Sequence, residues 1–166
     1  MIEHLNRPEY VHVLLNPLPV YGLAIGVLGL IIALLSRARA ARVTALALVM
    51  VSAASAWPVY HFGEAGYDRV KTIVDDAGDK WLDEHRRRGE QLIYVFYVVA
   101  VLSAIGIVAE FAVPKAAIPL AIATLILAGA NLGVGRDIAY AGGRVLHKEF
   151  RFEAPPAPRQ EQYHDH

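Results

Sequence analysis

Four long stretches of this chain contain no charged side chain, and they constrain its fold more than any other feature. The charge-free stretches are residues 10–36, 43–63, 91–109 and 116–135, which are 27, 21, 19 and 20 residues long. A mostly apolar run of about 18 residues or more is long enough to cross the hydrocarbon core of a bilayer as an α-helix. The four runs therefore predict an all-α polytopic membrane protein and exclude a soluble globular enzyme.

We expect the four runs to pack as one four-transmembrane-helix bundle, which forms a single domain over residues 1–153. After adjustment for the prolines and charged residues near their ends, the predicted spans are residues 19–36, 43–61, 91–113 and 118–136. Residues 154–166 begin with Ala-Pro-Pro-Ala-Pro and continue as a polar sequence. We expect them to form a tail without a core of its own.

The longest segment between two spans, residues 62–90, carries a pattern of its own. Four of its apolar residues recur at helical spacing among charged neighbours, namely Val70, Ile73, Val74 and Ala77. This pattern predicts a short amphipathic helix that lies on the membrane surface. Asp79 is placed to cap a further helix, which begins near Lys80 and continues into the third span.

Four spans place both termini and the 62–90 segment on the same side of the membrane. The opposite side carries Arg37, Arg39 and Arg42 with no acidic residue beside them, and dense basic clusters are typical of cytoplasmic turns. We therefore expect a multi-pass membrane protein whose termini and 62–90 segment lie outside the cytoplasm. Its expected partners are the lipid bilayer and other membrane protein subunits.

The composition excludes several kinds of chemistry. The chain contains no cysteine, which excludes disulfides, iron–sulfur clusters and the covalent attachment of a c-type haem. Its 16 basic and 16 acidic residues form no basic stripe, so nucleic acid is not an expected partner. The motifs of serine hydrolases, phosphate loops and zinc proteases are absent from the sequence, so the chain is not expected to be an enzyme by itself.

Four of the seven histidines are predicted to lie on one side of the membrane, with one near the end of each span. They are His12, His61, His85 and His147. Two imidazoles from facing helices can hold a b-type haem, whereas single histidines can also anchor a helix at the interface or relay protons. His85 shares a helical face with Leu82 and Phe96, so its ring is expected to point into the bundle. Gly89, one turn further along, would leave room for a flat ring system.

Other polar and aromatic residues within the spans are weaker candidates. Trp57, Tyr60 and His61 group aromatic rings with an imidazole, as expected beside a quinone. Asn131 is predicted either to hydrogen-bond to another helix or to face a quinone headgroup. Glu110, near the end of the third span, is expected to be paired or to reach the interface rather than to form a proton site.

Several motifs resemble a known family. The run His12-Val-Leu-Leu-Asn-Pro17-Leu-Pro19-Val is similar to the His-Pro-x-x-Val-His-Phe-Pro-Ile opening of a bacterial four-helix membrane family, domain of unknown function 2231. Further segments match that family in the same order: Phe62-Gly-Glu-Ala-Gly, Trp81-Leu-Asp-Glu-His85 and Ala141-Gly-Gly-Arg-Val-Leu-His147. The resemblance implies a four-helix membrane protein that binds haem or serves a redox chain. The family's second opening histidine falls on Pro17, so the resemblance implies that a second ligand comes from His61 or His85.

Two functions remain open at this point. The first is a membrane subunit of a larger bacterial complex that takes part in electron transfer, through a b-type haem or beside a quinone. The second is an accessory subunit without a cofactor, which packs against a membrane complex and stabilises it. Glycine seams, which allow another helix to approach closely, occur at Gly22, Gly26 and Gly29 and at Gly129 and Gly133. A haem absorption spectrum of the purified protein would separate the two functions.

Overall fold

The computed structural model describes residues 5–157, and this part of the chain consists of helices connected by short turns. Its α-helices are α1 (Pro8–Leu15), α2 (Leu23–Ser36), α3 (Arg39–Ala54), α4 (Ala56–Lys71), α5 (Asp76–Ala112) and α6 (Pro114–Leu146). A π-helical turn, Leu18–Gly22, lies between α1 and α2, and a 3₁₀ turn, Lys148–Phe150, follows α6. The predicted tail lies outside the described residues from position 158 onward.

These helices combine into four spans that are long and apolar enough to cross a membrane. The spans are Pro8–Ser36, Arg39–Lys71, Asp76–Ala112 and Pro114–Leu146. They confirm the predicted all-α chain with four helices of spanning length. Each span is longer than predicted, and the longest extension of each lies at the end of the bundle that contains the turn between α4 and α5. We call this the extended end. The opposite end, which contains the turns from α2 to α3 and from α5 to α6, is called the turn end.

The amphipathic helix predicted within residues 62–90 is not a separate element. Instead, α4 continues through the first part of the segment, and a turn at residues 72–75 leads directly into α5. Val70 and Val74 pack beside the buried ring of Trp81. At Val70 and Val74 the apolar pattern therefore reflects packing against the bundle itself, whereas Ile73 is exposed.

The cap of α5 lies earlier in the chain than predicted. Asp75 has an extended backbone conformation, and its side chain accepts a hydrogen bond from the backbone N–H of Gly78 at 2.9 Å. This is the geometry of a helix N-cap, in which a carboxylate satisfies an otherwise unpaired N–H group. Asp79, which was expected to be the cap, lies within the first turn of the helix.

One of the two predicted glycine seams brings helices of this chain together. A Cβ atom at Gly26 of α2 would lie only 2.8 Å from Cγ2 of Val49 in α3, so the two helices approach more closely than larger side chains would allow. By contrast, Cβ atoms at Gly129 and Gly133 would meet no atom of the described residues within 4 Å. The second seam therefore faces outward on α6.

At the turn end, a buried ion pair joins α3 to α5. Arg42 donates to the Glu110 carboxylate through Nε at 2.6 Å and through Nη2 at 2.8 Å. The two residues are only 8% and 2% exposed. Glu110 is therefore paired with a residue of another helix, which the sequence did not indicate.

Candidate cofactor cavity

The extended end of the bundle contains a cavity of about 510 Å³. Residues of α1, the π-helical turn, α4, α5 and α6 contribute to its walls, which are mostly apolar. Mostly apolar walls with a few polar groups are typical of sites for cofactors and small molecules. The lining includes the glycines Gly63, Gly66, Gly89, Gly135 and Gly142. Because glycine has no side chain, the walls at these positions are formed by the helix backbone.

His12 reaches the cavity from α1. Its Nδ1 donates a hydrogen bond to the main-chain carbonyl of Val59 in α4, at 2.8 Å. Its ring lies against Gly63, where a Cβ atom would be 2.9 Å from Nδ1 and 3.0 Å from Cε1. A side chain at position 63 would therefore displace the imidazole, and the glycine is part of the site.

His85 reaches the same cavity from α5 and is held in the same manner. Its Nδ1 donates to the main-chain carbonyl of Ile138 in α6, at 3.0 Å. Its ring lies against Gly142, where a Cβ atom would be 2.9 Å from Cε1 and 3.0 Å from Nδ1. Each of the two histidines is thus fixed by one carbonyl and one glycine of a neighbouring helix.

The two imidazoles lie close to each other. Their ring centres are 6.0 Å apart, and the ring planes are inclined at 77°. Because a carbonyl oxygen only accepts hydrogen bonds, both rings carry a proton on Nδ1, and in its neutral form each ring keeps a lone pair on Nε2. Histidines that bind metals are oriented in this way, since a hydrogen bond at one ring nitrogen leaves the other free to coordinate. The arrangement can therefore supply two neutral nitrogen ligands.

Charged side chains lie around the opening of the cavity. Arg86 donates to both carboxylate oxygens of Glu64, at 3.0 and 2.7 Å, and its guanidinium lies 4.6 Å above the ring of Tyr67. Arg7 and Glu9 contribute to the wall at and beside the start of α1. The cavity thus has an apolar interior and a charged rim.

The predicted grouping of Trp57, Tyr60 and His61 is divided between two faces of α4. Tyr60 lines the cavity. The rings of Trp57 and His61 stack on the outer surface, with centres 5.6 Å apart and planes inclined at 9°, and Trp57 is 60% exposed. The structure therefore does not bring His61 to the other two histidines of the cavity.

His147 and Asn131 also lie away from the two imidazoles of the cavity. His147 is exposed beyond the end of α6, where its Nδ1 is 2.9 Å from the carboxylate of Glu149. Asn131 is fully buried in α6, about one turn deeper in the bundle than Gly135 of the cavity wall. Neither polar atom of its side chain has a hydrogen-bond partner among residues 5–157.

Four groups that hold the imidazoles were not predicted from the sequence. They are the carbonyls of Val59 and Ile138 and the backbone at Gly63 and Gly142. Every residue has a carbonyl, so the carbonyl partners have no sequence signal. The glycines were visible within the segments Phe62-Gly-Glu-Ala-Gly and Ala141-Gly-Gly-Arg, but which of them faces an imidazole depends on how the helices are rotated in the bundle.

Comparison of the chain with protein-family models, with curated proteins and with solved structures finds no match. Function is therefore inferred from the cavity itself. Within the described part of the chain, no group of three or more His, Cys, Asp or Glu side chains is placed to hold a metal ion. The imidazoles of His12 and His85 instead match a cofactor that supplies the remaining ligands of its own metal, as a porphyrin does.

Proposed function

We propose that this chain is an integral membrane electron-transfer protein that binds a b-type haem between His12 and His85. The observation that carries the proposal is the pair of neighbouring imidazoles in the wall of the apolar cavity, each bonded through Nδ1 to a main-chain carbonyl. Haem supplies a one-electron carrier whose iron takes axial ligands from the protein, and histidine is a common axial ligand.

The dimensions of the site fit this cofactor. Imidazole nitrogens bind metal ions at about 2.0–2.1 Å, so the ring centres of two imidazoles that hold one ion between them would lie roughly 6 Å apart. The ring centres of His12 and His85 are 6.0 Å apart. The cavity, at about 510 Å³, lies within the range of roughly 300–1,000 Å³ found for cofactor and ligand pockets. The lining contains no methionine or cysteine, which makes the imidazoles its strongest iron ligands.

A quinone fits the site less well. Quinone oxygens accept hydrogen bonds, but each neutral imidazole already donates its single N–H to a main-chain carbonyl. Trp57 and His61, which were expected to help form a quinone site, lie outside the cavity. An accessory subunit without a cofactor would have no need for two imidazoles oriented in this way. The geometry therefore favours haem over both alternatives.

The surrounding residues would set the environment of the cofactor. The carbonyls of Val59 and Ile138 hold each ring in one tautomer and one orientation, which makes the imidazoles better electron donors. The apolar walls exclude water from the site. Arg7, in the cavity wall, would be the residue to pair with the carboxylate groups that haem carries at one edge, since Arg86 is already bonded to both carboxylate oxygens of Glu64.

We place the protein in the bacterial inner membrane, as the resemblance to domain of unknown function 2231 implies. The outward faces of the spans carry exposed apolar side chains, among them Ile25, Leu35, Val101 and Ile126. Such faces suit contact with lipid or with other membrane subunits. The cavity at the extended end would then exchange electrons with a partner on the outer side of the membrane.

The proposal is tested by the absorption spectrum of the protein produced in haem-sufficient cells. The wild-type chain is expected to show the bands of low-spin haem with two imidazole ligands. His12→Ala and His85→Ala are expected to lose these bands, whereas His61→Ala, at an exposed position, should keep them. Added imidazole should restore the low-spin bands in His12→Ala, which a merely structural defect would not allow.

Circular dichroism and gel filtration establish that each variant is folded. A wild-type protein that contains no haem, or histidine variants with unchanged spectra, would overturn the proposal.

A further inference from the structure

The helices that carry His12 and His85 are packed into the bundle to different extents. His85 lies within α5, a helix of 37 residues, and packs against α6, with which α5 makes the most extensive contact in the bundle. His12 lies on α1, which has only 8 residues, none of them buried. The cavity therefore has one rigid wall and one wall formed by a short peripheral helix.

Beyond its own span, α1 has one main neighbour. It packs mainly against α4, where Gly63 and Gly66 allow a close approach, since a Cβ atom at Gly66 would lie 2.8 Å from the backbone N of Glu9. At its other end α1 continues through the π-helical turn into α2, within the span Pro8–Ser36. The contact with α4 therefore fixes the direction in which α1 leaves α2, and with it the position of His12 at the cavity.

The connection from α1 to α2 has the features of a hinge. Pro17 and Pro19 have no backbone N–H to donate. Pro17 directly precedes the π-helical turn Leu18–Gly22, and Pro19 lies within it. Both features interrupt the regular hydrogen-bond pattern of an α-helix, and π-helical turns are frequent at functional sites. A rotation at this connection can move α1 without unfolding α2.

We propose that α1 is a hinged flap, that His12 is the exchangeable ligand of the haem, and that a small diatomic ligand binds in its place. This inference rests on the proposed haem site and adds a ligand-binding activity to it. An outward turn of α1 would break the hydrogen bond from His12 to the Val59 carbonyl and withdraw the imidazole from a bound haem. The lone pair of the incoming ligand would replace that of Nε2, without any change in the number of electrons. His85 remains in place throughout.

A disulfide that closes the flap tests the inference, because the chain contains no cysteine that could interfere. The pair Glu9→Cys with Gly66→Cys joins α1 to α4. A Cβ atom at Gly66 would lie 3.0 Å from Cβ of Glu9, and a small outward shift of α1 reaches the roughly 3.5–4.5 Å of a disulfide. The matched control, Gly29→Cys with Ala45→Cys, joins α2 to α3 away from the cavity, where the Cβ atoms would be 3.8 Å apart.

Cyanide is the probe, because it binds ferric haem and requires no reductant that would cleave the disulfide. The wild-type chain and the control pair are expected to bind cyanide at similar rates. The reduced flap pair is expected to bind it at least as fast, because a Cβ atom at position 66 would lie 2.8 Å from the backbone N of Glu9 and press α1 outward. The oxidised flap pair is expected to bind it at least about tenfold more slowly than the reduced flap pair, because apparent binding falls with the fraction of molecules in the open state. Equal rates for the oxidised and reduced flap pair would overturn the inference.

A second variant shifts the equilibrium between the closed and open positions of α1 toward the open one. Gly63→Ala introduces a methyl group against the His12 ring and is expected to accelerate cyanide binding about tenfold. Gly129→Ala, which faces outward on α6, should leave the rate unchanged. An unchanged rate in Gly63→Ala would contradict the flap. Absence of haem from every one of these proteins would overturn the proposed function, whereas a low-spin haem with equal cyanide rates would overturn the flap alone.

Discussion

Gly63 and Gly142 stand in the same relation to the two imidazoles, although they belong to different helices. At each position a Cβ atom would lie 2.9 Å from an atom of the neighbouring imidazole. The ring of His12 thus occupies the space that a side chain at position 63 would need, and His85 does the same at position 142. The two glycines allow the rings to lie flat against a helix backbone and leave the centre of the cavity open.

A prediction at the scale of one residue concerns Gly89, beside which the sequence indicated room for a flat ring. A Cβ atom there would meet only Cδ2 of Tyr60, at 3.9 Å. Gly89→Leu is therefore expected to fill part of the cavity without displacing the backbone, and to weaken haem binding about tenfold or more. Unfolding stability should not fall, because glycine within a helix is less favourable than leucine by about 0.5–1 kcal/mol.

Haem titration of the apoprotein and thermal unfolding measure the two effects. The matched control is Gly129→Leu, at an outward-facing position of α6, which should bind haem as the wild-type chain does. If Gly89→Leu binds haem with unchanged affinity, the cofactor does not occupy this part of the cavity.

At the scale of helices, the ion pair between Arg42 and Glu110 joins α3 to α5. Both side chains are removed from solvent, so each depends on the other for compensation of its charge. Glu110→Ala leaves a buried guanidinium without its partner and is expected to lower the free energy of unfolding by about 3–5 kcal/mol. Replacing both residues by apolar ones, Arg42→Met with Glu110→Leu, should restore most of that loss, because no buried charge then remains.

Denaturation in detergent, followed by circular dichroism, gives these free energies. The pair Lys71 and Asp79 is a suitable comparison, since its side chains are 44% and 37% exposed and lie 3.4 Å apart. Asp79→Asn is expected to cost less than about 1 kcal/mol. If Glu110→Ala and Asp79→Asn lower the free energy of unfolding by similar amounts, burial does not increase the dependence of stability on the pair of Arg42 and Glu110.

Another contact between elements joins the start of α5 to the segment after α6. Asp75 lies 2.9 Å from Nζ of Lys148, accepts from the backbone N–H of Gly78 at 2.9 Å and accepts from Nη1 of Arg151 at 2.8 Å. These hydrogen bonds, that of Lys148 foremost, hold the pKa of the Asp75 carboxyl well below its usual range. Arg151 also donates to two carbonyls at the end of α6, both at 2.7 Å. The Asp75 carboxylate therefore connects the start of α5 to the segment after α6.

The lowered pKa of Asp75 predicts an acid-dependent release of the C-terminal segment. A group whose pKa is lower in the folded state stabilises it fully above the ordinary pKa, here 3.8, and the stabilisation is lost as the pH falls through the folded value. A spin label at Phe152→Cys, which is 85% exposed, should therefore become more mobile only in acid well below that pH. In the spin-labelled chain, the further substitution Asp75→Asn should make the label mobile at neutral pH. The control substitution Asp76→Asn should not.

At the scale of the whole molecule, the number of spans was predictable and their lengths were not. Charge-free runs identify the part of each helix that can lie in hydrocarbon. Beyond these runs the helices continue because their charged side chains pair with one another on the surface of the extended end, as Arg86 does with Glu64 and Arg88 with Asp137. Such pairs form between helices that are distant in sequence, so a pattern along one helix does not predict them.

The same limit applies to the candidate site. Histidines can be read directly from the sequence, so His12 and His85 were both among the predicted residues. His61 has an equally suitable sequence context, yet it stacks on Trp57 at the outer surface of α4. Which histidine faces the cavity depends on the rotation of each helix, and that rotation is set by packing between helices rather than by local sequence.

The orientation of the molecule in the membrane gives the last prediction. The turn at residues 72–75 lies at the extended end with the cavity, whereas Ala38 lies between α2 and α3 at the turn end. In a chain without cysteine, the single variants Thr72→Cys and Ala38→Cys report on the two ends separately. In intact spheroplasts, a membrane-impermeant maleimide is expected to label Thr72→Cys and to label Ala38→Cys only after the membrane is permeabilised.

Each other outcome of this labelling experiment has a distinct physical meaning. Labelling of both variants in intact spheroplasts would contradict a bundle whose spans cross the membrane between these two turns. Reversed labelling would keep the bundle but place the extended end in the cytoplasm. Because Thr72 lies at the same end of the bundle as His12 and His85, the experiment also decides from which side of the membrane electrons and small ligands reach the proposed haem.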